Sequence, residues 1–362
     1  MATELSLKQA LEAVELAGIG HTLGTVGQVR TEQSGDAVKI EVELGFPADS
    51  YRPELEQLVR DVAERESGSS DVSVAVTAKV TAHGVQGTLK PLEGVANIIA
   101  VASGKGGVGK STTAVNLALA LHRDGATVGI LDADIYGPSV PLMLGLVGER
   151  PETEDGKTML PLTAHGLQVM SIGFLIDPDQ PMVWRGPMVT SALNQLLRQT
   201  RWDGLDYLIV DMPPGTGDIQ LTLSQQVPVS GAVIVTTPQN IALADATKGL
   251  QMFRKVSIPV LGIVENMSMH ICSSCGHEEP IFGEGGGELM ARDYDVNLLG
   301  RLPLARDIRE QTDSGTPTVV AEPDGVHSKH YLQTAQRMAA ALATRGRDYS
   351  HRFPNIVVED SP

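Results

Sequence analysis

The sequence predicts an α/β protein: a mostly parallel sheet covered by helices on both faces, preceded by a small α+β unit. Two patterns carry the prediction. Six short apolar runs, five of them with β-branched residues, at 98–102, 128–131, 207–210, 232–236, 260–264 and 298–302, are separated mostly by helical patterns. Strands buried on both faces of a parallel sheet read this way. Ahead of them, Leu7, Ala10, Leu11 and Val14 mark one helical face within 5–17, and Val38, Ile40, Val42 and Leu44 then alternate as in a half-buried strand. Leu55, Leu58, Val59 and Val62 mark a second helix, and Val72, Val74, Val76 and Ala78 a second strand. Between the two regions AHGVQGTLKPLEGVAN (82–97), Gly-rich and broken by Pro91, reads as a linker. The expected organisation is a small domain over 1–81, a linker over 82–95, a large α/β domain over 96–348 and a loosely held tail over 349–362. Three of the six runs end in turns dense with chemistry, and open α/β sheets bind ligands beyond the carboxyl ends of their strands.

Charge narrows the function classes. The 362 residues carry a net charge of −16, shared as −7 over 1–81 and −9 over the rest. An acidic chain with no basic region argues against nucleic acid or an anionic membrane as a partner. No apolar run approaches the ~18 residues of a membrane span, and Glu4, Lys8, Glu12 and Glu15 in the first helical stretch are unlike a secretory leader. A cytoplasmic protein is expected. Only two cysteines occur, Cys272 and Cys275, too few for a disulfide framework and spaced as metal or redox ligands are.

The run at 98–102 leads into Gly104-Lys105-Gly106-Gly107-Val108-Gly109-Lys110-Ser111, followed by Thr112 and a helical pattern to residue 123. This fits G-x-x-x-x-G-K-S/T in its required strand–loop–helix context. The glycines let backbone N–H groups close around phosphate oxygens, and the helix N-terminus adds its dipole. Lys110 would neutralise β- and γ-phosphate charge, and Ser111 would hold Mg²⁺. Lys105, a second lysine one place after the first glycine, makes the loop resemble the deviant Walker A motif of the SIMIBI class of P-loop NTPases. That class includes MinD, ParA, the nitrogenase iron protein and the Mrp/NBP-type iron–sulfur carriers. In it the extra lysine reaches the nucleotide of the partner subunit, so the resemblance implies a nucleotide-gated homodimer.

Leu131-Asp132-Ala133-Asp134-Ile135-Tyr136-Gly137-Pro138-Ser139 follows the next run, with Asp132 and Asp134 on the same side of an extended segment. By analogy to switch I of that class, Asp134 is expected to position the attacking water and Asp132 to join the Mg²⁺ shell. The run ending at Asp211 fits a Walker B carboxylate holding Mg²⁺ through water, and Pro213 to Gly217 resemble switch II. The residues expected to act in hydrolysis are thus Lys105, Lys110 and Asp134. Asn266 stands at the family position that reads the adenine edge, with Pro303 near the base.

Cys272-Ser273-Ser274-Cys275-Gly276-His277 lies in a polar loop, where Gly276 eases the backbone round as in a knuckle. Two thiolates can bind one metal ion or cluster, but a stable zinc or four-iron site normally needs four ligands. A two-fold axis joining two chains would supply four. A structural zinc site using His270 or His277, and a redox dithiol, are the other readings of the pair.

Together GKGGVGKST (104–112), LDADIYGPS (131–139), DMPPGTGD (211–218), VENMS (264–268), CSSCG (272–276), FGEGGGE (282–288) and LPL (302–304) resemble the Mrp/ApbC branch, the iron–sulfur cluster carriers, over about residues 96–345. DIYGPS and C-x-x-C-G separate this branch from MinD and ParA. The resemblance implies ATP binding and slow hydrolysis, a bridging four-iron four-sulfur (4Fe–4S) cluster, apo iron–sulfur proteins as recipients and a cluster assembly scaffold as donor. Residues 1–81 loosely resemble the MIP18-like domain at the N-terminus of many bacterial relatives. Where related domains carry a cysteine, this chain reads Gly45-Phe46-Pro47-Ala48-Asp49-Ser50, so sulfur ligation there is excluded. The contrasting expectations are a positioning or partitioning ATPase like MinD or ParA, which the charge opposes, and an ATPase stapled by zinc.

Overall fold

The computed structural model describes residues 4–87, 89–175, 186–272 and 274–346. Three strands, β1 (Gly27–Ser34), β2 (Ala37–Leu44) and β3 (Val72–Ala78), form a first sheet in the order β1-β2-β3. The β1–β2 pair is an antiparallel hairpin, and β2 and β3 are parallel, joined through the helix Arg52–Ser67. The alternation expected of β2 is observed: Val38, Ile40, Val42 and Leu44 are buried, as are Leu55, Val59 and Val62 of that helix, while the odd positions of the strand face outward. The first helix is shorter than its pattern, Glu4–Glu12. Past it, Gly18 and Gly20 adopt positive φ and turn the chain back, so that Leu23 N–H reaches the Val14 carbonyl.

The second sheet has eight strands. These are β4 (Val95–Ala102), β5 (Val128–Asp132), β6 (Leu162–Ala164), β7 (Leu167–Ser171), β8 (Leu205–Asp211), β9 (Gly231–Thr236), β10 (Val260–Glu265) and, after a two-residue hairpin of β11 (His270–Ile271) and β12 (Glu278–Glu279), β13 (Leu298–Arg301). Their order is β13-β10-β9-β4-β8-β5-β7-β6, parallel throughout except for the β6–β7 pair. All six predicted runs are strands of this sheet. The fold class is therefore as expected, a mostly parallel sheet flanked by helices. Two strands, β6 and β7, extend it beyond β5. The helix Lys110–Arg123 is buried all round from Thr113 to Leu121 because it packs between the sheet and the helix Val326–Ala343. Among the described residues no helix is long and apolar enough to cross a membrane. The tail predicted at 349–362 lies outside the described residues.

The segment read as a linker is anchored. His83 and Gln86 are buried, the latter with Nε2 donating to the Ser224 and Val227 carbonyls and Oε1 accepting from Val229 N–H. His83 N–H donates to Asn97 Oδ1 on β4, a strand that already begins at Val95. Gly and Pro content marks irregular backbone, but irregular backbone that finds buried partners is fixed in place.

The two sheets also meet at Asp124, which is buried where the helix Lys110–Arg123 ends. Its carboxylate accepts from Ser50 N–H at 3.0 Å and Gln336 Nε2 at 2.8 Å, and Gln336 also reaches Ser50 Oγ. Burial, which these hydrogen bonds oppose, pushes the Asp124 pKa up from 3.8. A carboxyl raised in the folded state binds its proton more tightly there than in the unfolded chain, so its contribution to stability falls as pH rises from 3.8 through the elevated value. Asp124→Asn removes this titration. Its melting temperature should gain on the parent's as pH rises through that window and hold the gain above it, as checked by melting both proteins across a pH series.

Candidate functional site

The carboxyl ends of β4, β5, β8 and β10 converge on one edge of the large sheet, with β4 between β8 and β9. From β4 the chain enters the loop Gly104–Gly109 and then the helix beginning at Lys110, whose N-terminus has no side-chain cap. Gly107 and Gly109 take φ of 81° and 80°, which a residue with Cβ resists. A Cβ at Gly106 or Gly107 would meet only open space, so the tip of the loop is uncovered. Gly104 is glycine for a different reason: a Cβ there would lie 2.1 Å from the Asp245 backbone.

Lys110 is 6% exposed and donates to Asp211 Oδ1 at 2.5 Å and to Ser111 Oγ at 3.1 Å. Asp134 Oδ2 stands 4.0 Å from the same ammonium. Asp132, fully buried, is paired in register with Asp211 across β5 and β8. Its Oδ1 accepts from Asp134 N–H, and its Oδ2 accepts from Val140 N–H and Ser171 Oγ. Burial first, and then the Asp211 charge, push the Asp132 pKa up to about 7 against the opposing pull of Lys110. Burial likewise raises that of Asp134. Asp211 Oδ2 is buried with no hydrogen-bond partner among the described residues. An orphaned carboxylate oxygen beside a lysine and a serine hydroxyl is suited to a hydrated divalent cation.

The structure thus brings Lys110, Ser111, Asp132, Asp134 and Asp211 together. Lys105 sits partly exposed on the loop with no ion pair among the described residues. Asn266 is buried, and its Nδ2 donates to the Val108 carbonyl at 2.9 Å, so it also braces the phosphate loop. A Cβ on Gly109 would lie 2.2 Å from that Nδ2. Gly109→Ala therefore combines a left-handed backbone, costing about 1–2 kcal/mol, with a clash against the brace. Nucleotide affinity should fall about tenfold or more in a fluorescent-nucleotide titration, and an affinity within about twofold of the parent would show that the loop needs neither.

Two residues that brace the site were not singled out in the sequence, although Glu265 lies within the VENMS stretch. Ser171 closes β7, a strand without a legible alternation, and anchors Asp132. Glu265, 1% exposed at the end of β10, has its carboxylate bonded by Gly287 N–H and faced by Arg301 Nε at 3.8 Å.

Cys272 and Cys275 lie at the tip of the β11–β12 hairpin, the first half-buried and the second exposed, both free thiols. Cys272 N–H donates to the His277 carbonyl and Gly276 N–H to the Cys272 carbonyl, with Gly276 at φ 70°. Backbone N–H groups of Ser274 and Cys275 face the Cys272 sulfur and hold its thiol below the usual range. Among the described residues no group of three or more His, Cys, Asp or Glu could hold a metal ion. His270, one of the expected alternative zinc ligands, has Nδ1 at 3.0 Å from the Leu304 carbonyl. The chain thus presents a pair of free thiols on an exposed hairpin with no third ligand among the described residues.

Comparison with known proteins bears on the family and the fold. A family model described as ParA, the NUBPL iron-transfer P-loop NTPases, matches residues 94–339. An iron–sulfur cluster carrier protein of Haemophilus influenzae is 55% identical over 317 residues, spanning 88% of this chain and 86% of its own. The iron–sulfur cluster transfer protein NUBPL of Mus musculus is 54% identical over 255 residues, 70% of this chain and 80% of its own. Among solved structures, a nucleotide-binding protein of Archaeoglobus fulgidus in complex with ADP is 38% identical, with a TM-score of 0.57 over 64% of this chain and 90% of that one.

Proposed function

The chain belongs to the NUBPL/Mrp family of iron-transfer P-loop NTPases, and from that membership we propose that it is an ATP-dependent carrier of a 4Fe–4S cluster, held between the Cys272 and Cys275 pairs of two protomers. The observation that carries the reading is the isolated pair of thiols on an exposed hairpin, without a third ligand among the described residues. Four thiolates complete such a cluster, and a two-fold axis supplies them. The same symmetry gives Lys105 a destination, the nucleotide of the partner.

In this reading the N–H groups of Gly106 to Ser111 bind the β- and γ-phosphates of ATP, and Lys110 neutralises their charge. Ser111 Oγ and Asp211 Oδ2 would hold Mg²⁺, with Asp132 in the surrounding shell. Mg²⁺ supplies charge neutralisation across the phosphates when bound. Asp134 orients the water that attacks the γ-phosphate. Asp132, tied to Val140 and Ser171, fixes the backbone that carries Asp134. Asn266 offers its remaining amide hydrogen to adenine, with Pro303 near the base. Hydrolysis is slow and coupled to cluster release toward apo-proteins in the cytoplasm, the cluster arriving from an assembly scaffold.

Anaerobic reconstitution with iron and sulfide tests this. About four iron per dimer with sulfur-to-iron charge-transfer absorption is expected. Zinc near one per dimer without that absorption would leave an ATPase with a structural knuckle and overturn the carrier role.

A further inference from the structure

Glu265 and Asn266 are adjacent where β10 ends, and they hold two different parts of the site. Asn266 reaches Val108 in the phosphate loop, in contact close enough to require glycine at 109. Glu265 holds the cysteine-bearing segment 268–287 at both ends. Its carbonyl accepts from Leu302 N–H, and the Leu302 carbonyl in turn accepts from Ser268 N–H and Oγ, where the ascending arm begins. Its carboxylate accepts from Gly287 N–H in the first turn of the helix Gly286–Asp293, where the descending arm ends. Gly287 has to be glycine for this contact, since a Cβ would lie 2.9 Å from the carboxylate. A carboxylate at a helix N-terminus is held by the helix dipole, and Arg301, which also pairs with Glu288 of that helix, closes the clamp.

We propose that the Glu265–Asn266 pair is the link through which nucleotide in the phosphate loop alters the cysteine hairpin, with Glu265 as a positioning residue. The inference rests on the reading that the phosphate loop binds nucleotide and that Cys272 and Cys275 hold the cargo. A nucleotide that shifts the Val108 carbonyl moves Asn266, and its rigidly bonded neighbour then carries both arms of the hairpin. Glu265 touches neither phosphate nor sulfur, so its role is coupling. Coupling between binding sites is reciprocal, so cargo on the thiols would alter nucleotide affinity through the same pair.

The test needs no cluster. Alkylation of Cys272 and Cys275 by iodoacetamide is followed by mass spectrometry in the full chain, with no nucleotide, with Mg-ADP and with a non-hydrolysable Mg-ATP analogue. The parent should show a rate ratio of about fivefold or more between nucleotide states. In Glu265→Gln, which keeps the acceptor for Gly287 but loses the charge facing Arg301, the ratio should fall towards one while ADP affinity stays within about threefold of the parent. Arg301→Gln, a change at a half-exposed side chain, should reduce the ratio without threatening the fold. No nucleotide effect in the parent, or the parent's ratio in either folded variant, overturns the link. The carrier reading fails separately: a coupled hairpin that takes up no iron sinks the cargo assignment and leaves the link standing.

Discussion

Lys110→Ala should reduce ATP turnover by about 10²–10³-fold, the usual cost of removing one preorganised group that stabilises transition-state charge. It should also destabilise the protein, and the two effects have separate causes. Lys110 pairs with Asp211 at 2.5 Å and with Asp134 at 4.0 Å, and its charge also acts on the neighbouring Asp132. Its deletion leaves Asp211, fully buried, without the donor to Oδ1 and with a second orphaned oxygen. Breaking a buried pair from one side costs about 3–5 kcal/mol because a charge stays behind uncompensated. Lys110→Met combined with Asp211→Asn removes both charges and should recover most of that stability without recovering turnover. Chemical denaturation read beside an ATPase assay separates the two. Turnover in Lys110→Ala within about threefold of the parent would remove the lysine from the reaction.

How far the sequence was legible follows from where information sits in a fold. Six of the eight strands of the large sheet carry a local apolar run, in five of them with buried β-branched residues, and the phosphate loop is contiguous, so both were readable. The strand β1, GQVRTEQS, has Val29 as its single buried residue, and β7, LQVMS, is short with the polar Gln168 as its second residue. Neither offers an alternation, because each is defined by the neighbour that pairs with it. The buried contacts of the segment 82–95 were hidden for a related reason. Gln86 is fixed by carbonyls 138 and 141 residues away, and nothing near it in sequence hints at them. Ser171 and Glu265 belong to the same class: their roles arise from acceptors and donors that only the sheet order brings together. The resemblance placed Asn266 at the base, and the contact with Val108 adds a role in shaping the phosphate loop.

Cys272→Ala should abolish cluster binding while leaving the fold and ATP binding intact, the converse of the lysine variant. Cys272 is half-buried and Cys275 exposed, and neither belongs to the hydrophobic core, so truncation is expected within about 0.5 kcal/mol of the parent's stability. The loss of iron is all-or-none in a homodimer. Each single change removes two of the four thiolates, and two thiolates do not retain a four-iron cluster, so iron should fall from about four per dimer to near zero for Cys272→Ala and Cys275→Ala alike. A site built within one protomer behaves otherwise, because its second thiolate could recruit a histidine, and residual metal near half the parent's would then persist. Mixed dimers sharpen the distinction. Co-expressed parent and Cys272→Ala chains bearing different affinity tags, purified through both, keep three thiolates, and should bind a cluster that is lost to a chelator faster than the parent's. Parent-like retention in the mixed dimer would show that each protomer holds its own metal, and the bridging arrangement would fall.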